Sequence, residues 1–459
     1  MLTYELKKER GLPLYEALYR SIRQDILTGK LAPGDKLPSK RALAAHLKVS
    51  QITVEGAYDQ LLSEGYIRTR QRVGCFVEPL PQLLRAEPEN RAEPESRPFS
   101  GVDLTANGPA DFPFSVWSRL FRQVMQDYGR QLLSPLPNRG YGELRSAIAS
   151  SLAQFRGMSV SADQILVGAG TDFLYNLLIQ LLGRDLIYAV EEPGYDKITR
   201  IYAAGGARYR LAPMDDRGVI PGNLTDAQVL HISPAHHFPT GLVTPLDRRQ
   251  ELLDWLRQRQ DRYIIEDDFD SEFRFHARPL PTLQTMDTTG RVIYMNTFTK
   301  TLAPSIRISY LVLPTGLMER FSRELGFYGC TGPSFEQYTL ARFLNGGYFE
   351  KHINRMRKFY RNRRNRMIEL LRTCAYASRL TIREQDAGLH FLVKVDTDMT
   401  DEALTAWLAE KGIRVQCLSS FYRGPYPEEV AGNLVVNYSG LSDGDMDHLA
   451  SVLGKTQDV

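Results

Sequence analysis

The chain is poor in cysteine: four in 459 residues, at positions 75, 330, 374 and 417. They are far apart and form no Cys-x-x-Cys pair. Neither a disulfide framework nor a structural zinc site is expected, and a reducing compartment fits. Long apolar runs are also missing. The nearest candidate, residues 171–183, is interrupted by polar side chains and too short to span a bilayer. The first ten residues are polar and charged, with no apolar signal-peptide core. These absences lead to the expectation of a cytoplasmic protein with no membrane partner and no metal. A strong charge of one sign is lacking as well, the formal net charge being +3. Its distribution is uneven, because residues 1–80 carry 13 Lys/Arg against 9 Asp/Glu out of 57 and 54 overall. A small basic segment is a weak footprint for a nucleic-acid partner.

Three segments are visible in what is present. Residues 1–78 are compact and patterned, residues 79–100 are proline-rich and charged with little to bury, and residues 101–459 alternate strand-like and helix-like stretches. The middle segment reads as a linker. The third reads as an α/β domain on a largely parallel sheet, with a smaller C-terminal α/β subdomain. Its strand candidates include residues 164–168, 186–190, 229–233, 263–266, 292–296 and 309–312.

In the first segment, Leu14, Leu18, Ile22 and Ile26 share one helical face between Pro13 and Gly29. Ser39 can cap a second helix over residues 40–47, and Ser50 a third with Val54, Ala57, Tyr58 and Leu61 on its core face. Two short helices joined by a tight turn are a helix-turn-helix. Ser50, Gln51 and Thr53 then face outward on the third helix, where small polar groups reach base edges in a major groove. Residues 66–69 and 74–77 can pair as a wing, with Arg70 and Arg72 at its tip as phosphate contacts. A helical protein-binding domain is the competing reading, and the wing with its arginines favours double-stranded DNA.

In the third segment the chemistry gathers at Asn296-Thr297-Phe298-Thr299-Lys300, followed by Arg307. A lysine just past a strand end can form a Schiff base with a carbonyl cofactor. Thr297 and Thr299 can donate hydroxyl bonds to a phosphate, and Arg307 can clamp it. Residues 167–172, Val-Gly-Ala-Gly-Thr-Asp, end a strand and open a helix, whose free N–H groups bind phosphate. Residues 263–268 run a strand into Asp267 and Asp268, which suit a pyridinium partner, a magnesium site or a solvated loop. Tyr195, after Glu192-Pro193-Gly194, offers a ring for stacking.

The stretch from residue 12 to residue 70 resembles a GntR-family winged helix. That likeness implies DNA contacts from Arg41, from Ser50, Gln51 and Thr53, and from the wing. The family often has Arg where this chain has Gln51 and Gly where it has Arg72, so no operator sequence carries over. NRGYGELRSAIASSL, GAGTDFLYNLL, EEPGYDK, SPAHHFPTG, IIEDDFDSEF and NTFTKTLAPSIR resemble the fold-type I aminotransferases, over about residues 104–453. The resemblance implies pyridoxal 5′-phosphate (PLP) on Lys300, Asp267 at the ring nitrogen and Tyr195 stacked on the ring. It also implies Gly170, Thr171, Thr297, Thr299 and Arg307 at the phosphate. The combination is similar to the MocR family, PLP-binding regulators that are usually head-to-tail homodimers. The expected function is a DNA-binding transcription regulator sensing PLP or a small amine or amino-acid effector. The alternative is an aminotransferase carrying a fused DNA-binding module.

Three departures weigh against turnover. Phe269 stands where many relatives have a Tyr that bonds the cofactor's phenolic oxygen. Val435 stands where aminotransferases usually have an Arg for the substrate carboxylate, and Asp196 where amino-acid sensors can have another. His236, His237 and His390 lie in cofactor-side motifs, but are expected to be structural. The basic run over residues 351–366 reads as an exposed or dimer-interface helix, with a second DNA-contacting surface as the sharper alternative.

Overall fold

The computed structural model describes residues 2, 4, 13–70, 73–79, 99, 101–105, 111–275, 280–375, 377–383 and 388–454. The chain divides into two compact units, Met1–Pro98 and Phe99–Val459.

The first unit holds α1 (Leu14–Leu27), α2 (Lys40–Leu47), α3 (Gln51–Ser63), β1 (Ile67–Arg70) and β2 (Gly74–Val77). Leu18, Ile22 and Ile26 of α1 close over Leu43 of α2 and Val54, Ala57 and Leu61 of α3. Residues three and four apart share a helical face, so this spacing makes one continuous core. Ser39 and Ser50 cap α2 and α3 by accepting from Ala42 N and Thr53 N, each at 3.2 Å. Between the two helices Lys48 turns the chain at φ 56°. Strands β1 and β2 pair antiparallel, with Ile67 opposite Val77 and Arg70 opposite Gly74.

In the second unit β3 (Val102–Asp103), α4 (Phe114–Tyr128) and α5 (Gly142–Arg156) lead into an eight-stranded sheet. Its strands are β4 (Ile165–Gly168), β5 (Ile187–Glu192), β6 (Arg208–Asp215), β7 (Gly218–Val219), β8 (Val229–Ile232), β9 (Tyr263–Asp267), β10 (Val292–Thr297) and β11 (Ser309–Val312). Between them lie α6 (Thr171–Leu182), α7 (Asp196–Ala204), α8 (Leu246–Arg257), α9 (Leu283–Met286) and α10 (Phe298–Thr301). The strand order is β4-β11-β10-β9-β8-β5-β6-β7. Strands β10, β9, β8, β5 and β6 are parallel. The sheet as a whole is mixed, because β11 runs antiparallel to both β10 and β4. Residues 298–308 hold only α10 and a single 3₁₀ turn, too short for the helical crossover a parallel return requires. The two faces of the sheet pack separately: Leu166, Ile265 and Ile293 on one side, Val167 and Tyr294 on the other. Both faces are covered, which is why these strands read as apolar runs rather than alternating ones.

The chain continues through α11 (Thr315–Glu324), α12 (Ser334–Asn345) and the long α13 (Tyr348–Thr373) into a smaller antiparallel sheet. That sheet is built from β12 (Leu380–Arg383), β13 (His390–Val395), β15 (Gln416–Cys417) and β16 (Asn433–Asn437). It is flanked by α14 (Asp401–Glu410) and α15 (Asp443–Gly454), while β14 (Ile413–Arg414) pairs with β3. The basic run falls on α13, where Arg364 is buried, Arg357 Nε donates to Glu272 O at 2.5 Å and Arg366 pairs with Asp443 and Asp447. Among the described residues no helix is long and apolar enough to cross a membrane.

Candidate functional site

A cleft of about 460 Å³ opens at the carboxyl ends of the parallel strands, where ligands of open α/β sheets bind. Thr171, Tyr195, Asp267, Thr297, Thr299, Lys300 and Arg307 all line it. Lys300 sits on α10, one residue past Thr299 and half-buried. Burial holds its ammonium below the ordinary lysine value, while the Asp270 carboxylate pulls it back up. A lysine shifted downward keeps more of its amine free as a nucleophile.

Asp267 closes the floor from the end of β9. Its Oδ2 accepts from Tyr175 Oη at 2.5 Å and lies 3.7 Å from His231 Nε2. The far ring nitrogen of His231 is fixed by Tyr202 Oη at 2.7 Å. Its other oxygen, Oδ1, is buried without a hydrogen-bond partner among the described residues. An anchored carboxylate with one open buried oxygen suits a ring N–H arriving from the cleft. Desolvation and the neighbouring Asp267 hold the Tyr175 hydroxyl far above its ordinary value, so it stays a donor. Tyr175 and His231 were not anticipated from sequence. Tyr175 lies one helical turn past Thr171 on the same face, and His231 is a lone polar side chain in the buried strand Val-Leu-His-Ile.

The other end is a cradle. Gly170 precedes α6 at φ 90° and ψ 167°. A Cβ there would lie 2.6 Å from Arg307 Nη2, so only glycine lets the guanidinium reach this corner. Arg307 itself is held at φ 46° and donates to Ala169 O at 3.3 Å. Ser309 Oγ donates to Thr297 Oγ1 at 2.7 Å, and Thr297 Oγ1 to Thr299 Oγ1 at 2.9 Å. The hydroxyls, the guanidinium and the α6 N-terminus face the same corner, an arrangement suited to a phosphate.

Tyr195 is 48% exposed and meets Phe238 edge-on at 5.9 Å, leaving a ring face open to the cleft. Phe269 lines the cleft with Asp267 and Lys300 and has no hydroxyl to give. Asp196 is paired with Arg423 and Arg200. Val435 is buried with Leu392, Leu418 and Val430 in an apolar cluster, against which Phe238 and Phe421 pack. Of the three histidines, His390 lines the cleft, while His236 is buried behind it with Nδ1 2.9 Å from Asp270 Oδ2. His237 Nδ1 is tied to Thr240 Oγ1 at 2.7 Å, and burial pushes the ring down to about 3.

In the first unit Arg41, Ser50 and Gln51 are exposed. Thr53 is half-buried, its hydroxyl 2.8 Å from Ser50 Oγ. Arg70 lies at the end of β1 with its guanidinium 5.0 Å from the Phe76 ring centre. Arg72 falls outside the described residues. Ile52, which sequence reasoning passed over, is 79% exposed between Gln51 and Thr53.

Residues 14–77 match the family described as bacterial regulatory proteins, gntR family, and residues 100–453 match aminotransferase class I and II. The chain is 33% identical over 458 residues to the uncharacterized HTH-type transcriptional regulator YdeL of Bacillus subtilis (strain 168), covering 97% of each. It is 32% identical to the probable rhizopine catabolism regulatory protein MocR of Rhizobium meliloti, over 95% of this chain and 92% of that one. It is also 32% identical to the pyridoxine biosynthesis transcriptional regulator PdxR of Corynebacterium glutamicum, over 96% and 95%. The kynurenine aminotransferase of Pyrococcus horikoshii superposes with a TM-score of 0.67 at 25% identity, over 78% of this chain and 92% of that one. These findings define a GntR-type, DNA-binding winged helix-turn-helix joined to a PLP-dependent aminotransferase fold. The chain belongs to the GntR-family transcriptional regulators of the MocR type.

Proposed function

We propose that the winged helix binds operator DNA and that the second unit binds PLP through Lys300 and reports PLP, or a small amine that reacts with it, as a change in DNA affinity. The observation that carries this reading is the cleft: a shifted lysine, a carboxylate with an open oxygen and an anion cradle lie around one cavity, on a chain that begins with a DNA-binding fold. The cofactor supplies an electrophilic carbon and a ring that withdraws electrons. Lys300 is the amine for that carbon. Asp267, backed by Tyr175 and His231, keeps a proton on the ring nitrogen. Gly170, Thr171, Thr297, Thr299 and Arg307 hold the phosphate, and Tyr195 covers the ring. Phe269 gives no hydrogen bond to the phenolic oxygen, which fits sensing better than turnover. Arg41, Ser50, Gln51, Thr53, Arg70 and Arg72 are the DNA contacts, used by a homodimer with its chains head to tail.

A ligand at Lys300 changes DNA binding only through a different affinity for two arrangements of the protein. Lys300→Ala therefore removes the PLP absorbance band and leaves a folded protein that still binds operator DNA. What disappears is the effect of PLP on operator affinity, expected at about 1–3 kcal/mol in the parent. The test titrates operator DNA with both proteins, with and without PLP. A parent indifferent to PLP in DNA binding and in transcription sinks the sensor reading and favours a fused enzyme.

A further inference from the structure

The two ends of the cleft differ in charge. Arg307, Thr297, Thr299 and the α6 N-terminus occupy one end. Beyond Lys300 the other end is closed by Phe238, Phe421, Leu389, His390, Gln416 and Asn437. Phe238 meets His390 and Phe421 edge-on at 5.1 Å and 5.2 Å, so this wall is largely aromatic. Behind it lies the apolar cluster of Val435, Leu392, Leu418 and Val430. Burial pushes the His390 ring far below its ordinary value and leaves it neutral.

Among the described residues lining the cleft, the cationic side chains are Lys197, Lys300 and Arg307. Lys197 is engaged by Asp172 at 2.7 Å, and Arg307 lies at Gly170 in the phosphate corner. Past Lys300 the buried charge of the lining is a carboxylate, that of Asp270. Asp270 faces the cleft, held by His236 Nδ1, while Asp196 at the rim is matched by Arg423 and Arg200. A ligand carboxylate placed here would lose water beside Asp270 with no unengaged cation among the described lining residues to receive it, Arg423 at the rim being held by Asp196, a costly burial. An incoming ammonium meets the opposite sign, and an uncharged tail meets the aromatic wall.

We infer that this end of the cleft receives a primary amine with an uncharged, largely apolar tail and discriminates against α-amino acids. The inference rests on the proposed binding of PLP at Lys300 and names the effector class of that site. Exchange needs no further reagent. The ligand nitrogen forms the carbon–nitrogen double bond that Lys300 gives up, and the protons the ligand ammonium sheds in forming it pass to the released Lys300 nitrogen.

The test uses the full chain loaded with PLP and two ligand pairs differing only by a carboxylate: 2-phenylethylamine against L-phenylalanine, and butylamine against L-norvaline. The readout is the change in the PLP absorbance spectrum. Each amine is expected to half-saturate at roughly 10- to 100-fold lower concentration than its amino acid, the range set by one unmatched buried charge. Equal or tighter binding of the amino acids overturns the inference. So does a cofactor spectrum that neither amine perturbs. Gln416→Arg adds a cation at an exposed lining position and should narrow the gap while the protein stays folded. A gap unchanged in that variant overturns the electrostatic basis. If PLP alone gives no band that Lys300→Ala removes, the PLP reading has failed and this inference falls with it. A normal band with silent amines sinks the inference alone.

Discussion

Replacing Gly170 by alanine tests the cradle at the atom where the structure makes it tightest. Gly170 has φ 90° and ψ 167°, a region populated almost only by glycine. Forcing a side chain into it costs about 1–3 kcal/mol of stability. The new Cβ would also lie 2.6 Å from Arg307 Nη2 and 2.8 Å from Cζ. Arg307 can swing toward solvent, since its side chain is half-exposed, and so can escape the clash. It then no longer faces the phosphate corner. Loss of a charge-assisted bond removes about 1.5–3 kcal/mol of PLP binding, or roughly 10- to 150-fold in affinity. The two costs separate experimentally. Thermal unfolding without PLP reads the backbone strain as a drop of a few degrees. Titration of PLP against the absorbance band reads the loss of the clamp. Gly183→Ala is the control: φ is 116°, the nearest atom to its Cβ is Leu186 Cγ at 4.0 Å, and it lies at the opposite end of α6. That variant should lose stability and keep its PLP affinity. A Gly170→Ala protein binding PLP within about threefold of the parent would refute the assignment of this corner to the phosphate.

Arg41→Ala and Thr53→Ala should each weaken operator binding by about 1–3 kcal/mol while leaving PLP absorbance intact, and parental binding by both would remove α2 and α3 as the reading surface. Steady-state assays with common amino acids and oxo-acids should stay below the usual enzyme range of roughly 1–1000 per second, and a rate inside it would establish the aminotransferase alternative. Burial raises Glu191 from 4.5 to about 8, against the lowering effect of the Ser233 N–H, with the His237 ring 3.6 Å away. Its folded value lies above its unfolded one, so its contribution to stability is complete below about 4.5 and is lost as pH rises through about 8. Denaturation of Glu191→Gln and parent should coincide near pH 5 and diverge by pH 9 in favour of the variant, by on the order of 5 kcal/mol at most. Parallel pH profiles would show that Glu191 is ionised in the folded protein.

The sequence by itself determined what depends on neighbours along the chain. Leu18, Ile22 and Ile26 recur at helical spacing, and Ser39 and Ser50 stand just before apolar-periodic runs, so α1, α2 and α3 were legible residue by residue. Lys300, Thr297 and Thr299 were legible because a strand end and the first turn after it keep them together whatever the rest of the fold does. Only the tertiary structure decided which way β11 runs, because residues 298–308 do not reveal in which direction the chain re-enters the sheet. It alone joined Tyr175 of α6 and His231 of β8 to Asp267 of β9, since those contacts form between elements far apart in sequence. It also turned Asp270 toward Lys300 and sank Val435 into an apolar cluster. The charge of a cleft wall is the sum of side chains brought together from β5, β8, β9, β13, β15 and β16, and no stretch of chain carries that sum.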